Sequence, residues 1–220
     1  MKVLIFTILL SFLSASSVRI LTYNLLNFSD DNEREVHYIT ILESISPDLI
    51  VAQEVVGQNG FSNFQSDVLD IYEDGQWSGA PFINQSAQQD IALFFKHDLF
   101  TFISTSAINT AQSSGTRDVI EWNMIHNLSG IEFNIYGVHF KASSGSSNAS
   151  QRLEEAIILR EHLNNLPTGR HFIVAGDFNI YSNSSSTEPA FNMLTGEIDV
   201  NTGRLFDPIN RIGNWHNNSS

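Results

Sequence analysis

The sequence predicts a layered α/β domain in which two β-sheets face each other and helices cover their outer sides. Short apolar runs typical of strands alternate with turns rich in Ser, Asn and Gly, and a few amphipathic helices lie between them. Several of these runs have no polar face, which is typical of sheets that are covered on both sides. Strands and helices mixed in this way pack in layers around one core.

The strands are predicted from apolar runs that end at turn-forming or charged residues. The first covers residues 19–25, and the second covers residues 48–53, a continuous Leu-Ile-Val-Ala run of the buried type. Four further strands are predicted at residues 91–96, 119–124, 131–140 and 171–175.

The helices are predicted from apolar residues at helical spacing. Such residues recur from Val36 to Ile45 and predict a helix over residues 33–46, which Pro47 ends. The Ser- and Gly-rich segment 143–150 is predicted to be a surface loop. Further helices are predicted at residues 62–70, 151–163 and 188–194.

The first sixteen residues have the pattern of a secretory signal peptide. Lys2 gives a positive start, residues 3–13 are almost wholly apolar, and residues 14–16 are small. The apolar stretch is shorter than the ~20 residues that a membrane span needs. We therefore expect a signal peptide at residues 1–16, rather than a buried strand or helix, and a single secreted or periplasmic domain at residues 17–220.

Charge and cysteine content restrict the class of protein. The chain of 220 residues has a formal net charge of −13, which argues against nucleic-acid binding through a broad basic surface. An enzyme that reaches phosphate through a bound cation remains compatible, because the ion reverses the local field. The chain has no cysteine, so a secreted domain must be stabilised by its core and by any bound cation rather than by disulfides.

The most specific motif is the Gly-Asp-Phe-Asn sequence that follows the apolar run at residues 172–175. In extended backbone, residues two apart point to the same side, so Asp177 and Asn179 can face one cleft while Phe178 packs the other way. Their oxygens suit a hard divalent cation or a phosphoryl group.

Three other apolar strands end in groups that can bind a metal or move a proton. These are Asn24, Glu54 and His139, each at or near the end of a predicted strand. Taken singly, they are equally typical of a turn former, a solvated loop residue and a packed histidine. Together with Asp177 and Asn179 they predict one site where the strand ends meet.

These motifs resemble those of the endonuclease/exonuclease/phosphatase superfamily, which includes DNase I-like nucleases. The order and spacing agree from about residue 18 to residue 180. The matching motifs are the opening strand 20–27, the metal-binding glutamate motif 47–55, the catalytic-histidine strand 137–141 and Gly-Asp-x-Asn at 176–179. The Arg- and Glu-rich helix that usually separates the last two is matched by Arg152, Glu155 and Arg160.

The resemblance implies a four-layer α/β sandwich that hydrolyses phosphate esters with Mg²⁺, or with Mn²⁺ or Ca²⁺ in its place. It implies that Glu54 and Asn24 hold the cation and that Asp177 orients or deprotonates the attacking water. His139 would donate to the phosphate in the transition state, and Asn179 would hold a non-bridging oxygen.

Arg117 lies where some nuclease members place a phosphate-contacting arginine. The same Arg117-Asp118 sequence is also typical of a surface ion pair, so both interpretations stay open.

One motif of the superfamily has no match. Its members normally carry an Asp-His pair some tens of residues after Gly-Asp-x-Asn, and no Asp-His dipeptide follows Asp177 here. We expect a fragment that lacks one or more C-terminal strands, leaves a sheet edge uncovered and has weak or no activity alone, rather than a degenerate member. His216 has no neighbouring aspartate and is a weak candidate for the missing histidine.

The expected substrate is DNA or RNA, cut by an extracellular endonuclease. The alternatives are a secreted sphingomyelinase-like phosphodiesterase, which would need an exposed apolar hairpin for membrane contact, and a secreted binding domain that has lost catalysis. Candidate hairpin residues lie at 61–64 and 77–82. The sequence leaves no mark of the oligomeric state.

Overall fold

Two four-stranded sheets make up the centre of the computed structural model, which describes residues 17–30, 33–85, 89–182 and 186–209. The signal-like segment and His216 lie outside these residues. The strands are β1 (Ile20–Phe28), β2 (Leu49–Val55), β3 (Trp77–Gly79), β4 (Asp90–Lys96), β5 (Phe100–Ile108), β6 (Val119–His126), β7 (Ile131–His139) and β8 (His171–Asp177).

Both sheets are mixed, with strand orders β1-β2-β4-β3 and β5-β6-β7-β8. In the first sheet β1 and β2 are parallel, and β4 runs antiparallel to β2 and β3. In the second sheet β7 and β8 are parallel and the other pairs are antiparallel. Parallel neighbours need a crossover connection. Helices supply it in both sheets, α1 (Glu35–Ile45) between β1 and β2 and α4 (Ser146–Asn164) between β7 and β8.

Alternating side chains along the central strands fill the spaces between layers. On β2, Leu49 and Val51 lie between the two sheets, whereas Ile50 and Ala52 face the helices outside the first sheet. A third cluster, which includes Tyr136, lies between the second sheet and the helices α4 and α5 (Pro189–Thr195). The four-layer α/β sandwich expected from the sequence is therefore confirmed.

All six predicted strands are confirmed, with ends that differ by a few residues. Two strands were not predicted. β3 has only three residues, and β5 has the polar-rich sequence Phe-Thr-Phe-Ile-Ser-Thr-Ser-Ala-Ile, with exposed residues along much of its length. The hydrogen bonds of β5 to β6, rather than an apolar pattern, fix it in the sheet.

The helices differ more from their predicted bounds. In α1 the buried residues are Tyr38 and Leu42. Val36 is 61% exposed, so the helical spacing of apolar residues did not identify the buried face of this helix correctly. The predicted helix at 62–70 is the middle of a continuous helical stretch, made of α2 (Gly57–Asn63), a π-helix (Phe64–Leu69) and α3 (Asp70–Tyr72). α4 begins at Ser146, so half of the predicted 143–150 loop is helical.

In the described part of the chain, β1 and β8 each lie at an edge of their sheet. A cavity of about 850 Å³ runs beside β8 and is lined by its residues and by the segment after α5. No described helix combines the length and the apolar character that a membrane crossing requires.

Candidate active site

The predicted site residues meet because β1 packs against β8 from the other sheet. The Asn24 side chain on β1 connects the two sheets, since Nδ2 donates to Glu54 Oε1 at 2.9 Å and to Asp177 Oδ2 at 3.3 Å. His139 pairs with Asp177 in the register of β7 and β8. Its Nε2 lies 3.9 Å from Glu54 Oε1. Four strands thus bring Asn24, Glu54, His139 and Asp177 to one point.

Irregular backbone positions the carboxylate of Glu54, the predicted metal ligand. The register of β1 shifts after Asn24, and that of β2 shifts at Glu54. Leu26, Asn27 and Glu54 all have left-handed φ angles of 51–59°. This conformation is costly for residues other than glycine and concentrates at functional sites. It brings the Asn27 N–H to 3.0 Å from Glu54 Oε2, so both oxygens of Glu54 accept hydrogen bonds.

The Gly-Asp-Phe-Asn motif does not continue as the extended backbone expected from the sequence, because β8 ends at Asp177 and Asn179 has a left-handed φ of 49°. Phe178 packs away from the site, edge-on to Phe140 at 5.6 Å. Asp177 Oδ1 accepts the N–H of Asn179, at 2.9 Å, and the Asn179 side chain donates to the Phe140 carbonyl at 3.1 Å. One N–H of that amide is already engaged, and the second is free to donate to a ligand.

His139 is almost fully buried, at 3% exposed. Burial and the nearby charge of Arg117 lower its pKa to about 4, and the carboxylates of Asp177 and Glu54 oppose this only partly. The ring is therefore neutral near pH 7 and carries one N–H donor. The Gln89 backbone is close enough to raise its pKa, yet Nδ1 makes no hydrogen bond of normal geometry in the described structure.

Arg117 is buried, at 6% exposed, which excludes the surface ion pair that the sequence left open. Asp118 accepts the N–H of Ala111 instead. Nη2 of Arg117 donates to Gln89 Oε1, whereas Nε and Nη1 have no partner among the described residues. Burial lowers the pKa of Arg117, and the carboxylates of Glu54, Glu155, Asp90 and Asp177 oppose that shift. The guanidinium is thus held among carboxylates, and two of its nitrogens have no partner among the described residues.

The donor set fits a hard cation that keeps much of its water. Glu54 and Asp177 reach the same amide, so two carboxylates approach each other and a cation between them would relieve their repulsion. The Asn24 side chain turns its NH₂ group to both carboxylates while its Oδ1 accepts the N–H of Leu26 at 2.9 Å, so it would have to exchange these hydrogen bonds to offer its oxygen to a cation. Within the described ranges, no group of three or more His, Cys, Asp or Glu side chains could hold a metal by itself. One or two carboxylates with waters are typical of Mg²⁺.

Three further residues surround the site and were not predicted to belong to it. Gln89 bonds to Arg117, the buried Asp90 has a raised pKa because of its desolvation, and burial raises the pKa of Glu155 to about 7. Glu155 belongs to the Arg- and Glu-rich helix noted in the sequence, but its place beside the site follows only from the fold. Gln89 and Asp90 carry no motif that would have identified them.

The chain matches known proteins both in its sequence and in its fold. Residues 21–196 match the model of the Endonuclease/Exonuclease/phosphatase family. No curated protein matches the chain significantly. Among solved structures, TDP2 of D. rerio with a single-strand DNA product is 13% identical, with a TM-score of 0.62 over 79% of this chain. The human nocturnin catalytic domain with bound sulfate is 20% identical, with a TM-score of 0.62 over 82% of this chain.

A third similar structure is the mannosyl-6-phosphatase of Bacteroides thetaiotaomicron, 14% identical with a TM-score of 0.62 over 80% of this chain. The chain spans 64% of the D. rerio TDP2 structure, 70% of the nocturnin domain and 69% of the phosphatase. At these identities the solved structures establish the fold, whereas the family match covers most of the sequence. The chain belongs to the endonuclease/exonuclease/phosphatase family.

Proposed function

We propose that this protein hydrolyses phosphodiester bonds with the help of a divalent cation, and that it is an extracellular endonuclease acting on DNA or RNA. The observation that carries the proposal is the position of two carboxylates, Glu54 and Asp177, on one shared amide beside a buried arginine with unused donors. A cation site next to a guanidinium is the arrangement that a phosphate ester requires.

The cation would be held by Glu54 and Asn24, with water completing its shell. Bound there, it would neutralise a phosphate oxygen and stabilise the leaving oxygen. The hydrogen bond from the Asn27 backbone fixes Oε2 of Glu54 before the cation arrives and does not depend on the orientation of the Asn24 amide. This fixed carboxylate lowers the cost of ordering the site when substrate binds.

The proton of the attacking water would pass to Asp177. The Asn179 N–H holds Oδ1 of that carboxylate and leaves Oδ2 directed toward Asn24 and the cation side of the site. Neutral His139 would donate its N–H to a phosphoryl oxygen as negative charge increases in the transition state. The free donors of Arg117 and the second N–H of Asn179 would bind the remaining non-bridging oxygens.

Nucleic acid is favoured over phospholipid because the candidate membrane hairpin is not exposed. Phe61 stacks on Phe82 and on Phe94, at 5.0 Å in each case, and Trp77 is buried. The DNA product bound to the similar TDP2 structure supports the same choice. The signal-like residues 1–16 support export, and a catalytically silent binding domain remains the alternative if no turnover occurs.

A substrate panel tests the proposal. Plasmid DNA, RNA, sphingomyelin and a sugar monophosphate are incubated with the purified protein and Mg²⁺, with and without EDTA. We expect weak Mg²⁺-dependent nicking of plasmid DNA or cleavage of RNA, since the Asp-His motif has no match in these 220 residues, and none with EDTA. Cleavage of sphingomyelin or of the monophosphate alone would reassign the substrate. No cleavage of any of the four would favour the binding domain.

A further inference from the structure

Gln89 lies between Arg117 and Glu54, the predicted metal ligand. Its Oε1 accepts a hydrogen bond from Arg117 Nη2, and its Nε2 donates to Asn27 Oδ1 at 2.5 Å. Asn27 in turn donates its backbone N–H to Glu54 Oε2 at 3.0 Å. The Gln89 amide therefore connects Arg117, the proposed phosphate-binding group, with Glu54, the proposed cation ligand.

The chemistry of the partners fixes the orientation of this amide. A guanidinium has donors only, so the oxygen of Gln89 must face Arg117 and its NH₂ group must face Asn27. The Asn27 side chain must then present its own oxygen. Neither amide can rotate by 180° without placing two donors or two acceptors against each other.

Both ends of the connection have few other hydrogen bonds among the described residues. The Arg117 fork makes one hydrogen bond in the described structure, the one to Gln89, although it lies buried among carboxylates. Asn27 has a left-handed φ of 54°, a conformation that needs outside contacts to hold it. Removing the Gln89 amide would therefore remove a hydrogen bond from both Arg117 and Asn27.

We propose that Gln89 is a positioning residue that sets the distance and orientation of Arg117 relative to Glu54. This proposal rests on the function proposed above, since it assigns Arg117 to the phosphate and Glu54 to the cation. Gln89 touches neither reacting group. Its effect on catalysis passes through Arg117 on one side and Asn27 on the other.

A double-mutant cycle tests this role, because residues that act through each other are not additive. The variants are Gln89→Met, Arg117→Met and the double variant, which keep side-chain length and remove the hydrogen bonds. We expect Gln89→Met to lower kcat/KM for a phosphodiester by about 10- to 100-fold, as the loss of a supporting partner typically does. In the Arg117→Met background the same change should cost only about 3-fold or less.

Controls separate positioning from folding. Gln76→Met replaces an exposed glutamine before β3, at the opposite end of β4 from Gln89, and should leave kcat/KM unchanged. Urea unfolding of every variant reports stability. Gln89→Leu also removes both hydrogen bonds, and it replaces Gln89→Met in the cycle if that variant does not fold. Additive effects in a folded set of variants would overturn the positioning role.

Calorimetric binding of inorganic phosphate separates this proposal from the proposed function. If the wild-type protein binds phosphate but hydrolyses nothing, the hydrolase proposal fails. The coupling between Gln89 and Arg117 is then calculated from the phosphate affinities of the wild type, the two single variants and the double variant. A Gln89→Met loss of phosphate affinity that disappears in the Arg117→Met background then supports the positioning role. A wild-type protein that neither hydrolyses a diester nor binds phosphate would overturn both proposals.

Discussion

At the scale of single residues, the site depends on one amide that two carboxylates share. Asn24 donates to Glu54 and Asp177, which lie on different sheets and would otherwise repel each other. Arg117 supplies a buried positive charge beside these carboxylates. The resulting cluster joins carboxylates to a fixed guanidinium, an arrangement that favours a divalent ion and an anionic substrate together.

Glu155 gives a residue-scale prediction about pH and stability. Its carboxyl is buried near Lys141, Arg152 and Arg117, accepts the Lys141 N–H at 2.9 Å and has a second oxygen without a partner in the described ranges. Desolvation raises its pKa to about 7, so the folded state binds the proton more tightly than the unfolded state does. The stabilisation that comes from this tighter proton binding is fully present below about pH 4.5, the ordinary pKa of a glutamate, and is lost as the pH rises through about 7.

Glu155→Gln removes that titration. We expect the variant to be more stable than wild type at pH 8 by about 2 kcal/mol, with a difference that shrinks toward pH 5. Urea unfolding at pH 5, 6, 7 and 8 measures it. Glu154→Gln, at the adjacent exposed position on α4, is the matched control. A difference between Glu155→Gln and wild type that stays constant with pH would contradict the prediction.

At the scale of elements, the end of β8 depends on its close approach to β7. Gly176 has φ +146°, and a Cβ added there would lie 2.0 Å from the Val138 carbonyl oxygen. The parallel pair β7–β8 sets this distance and also aligns His139 with Asp177. A side chain at position 176 would therefore separate the two strands that carry the catalytic candidates.

Gly176→Ala should destabilise the protein by on the order of 3 kcal/mol or more, since strain at a left-handed position adds to a backbone clash. Gly130→Ala is the control, because Gly130 also has a positive φ but has open space around its Cβ position. That change should cost about 1 kcal/mol. Thermal unfolding compares the two, and equal losses would show that β7 and β8 are not packed as described.

The strands and helices also show which elements can be predicted from sequence patterns and which cannot. β2, β4 and β7 were predictable because their apolar runs reflect burial on both faces. β5 was not, because most of its Ser and Thr residues are exposed and its pairing with β6 is what defines it. On α4 the buried face includes Arg152, which binds Glu188 and two backbone carbonyls, so hydrophobic spacing could not locate it.

At the scale of the whole molecule, the site exists only after both sheets have formed. Asn24 and Asp177 are 153 positions apart in the chain and touch because β1 and β8 meet across the sandwich. The motifs identified Asn24, Glu54, His139, Asp177 and Asn179 because each follows or ends an apolar strand. The pattern gave no sign of Gln89, since its partners are Asn27 near the end of β1 and Arg117 in the loop before β6.

The net charge of −13 makes the cation central to the proposed chemistry. A polyanionic substrate gains nothing from the overall field of the protein and must be bound by local positive groups. Arg117 is one such group, and a divalent ion at Glu54 would be the other. Activity should therefore depend on the ion for substrate binding as well as for the chemical step.

The most direct measurement is the Mg²⁺ dependence of phosphodiester hydrolysis by wild type, Glu54→Gln and the control Glu43→Gln, an exposed glutamate on α1. The substitution at Glu54 keeps the size of the side chain and removes its charge. We predict that Glu43→Gln matches wild type and that Glu54→Gln loses at least about 100-fold in kcat/KM at every Mg²⁺ concentration. Undiminished hydrolysis by Glu54→Gln, or hydrolysis by wild type that EDTA does not affect, would contradict the central claim.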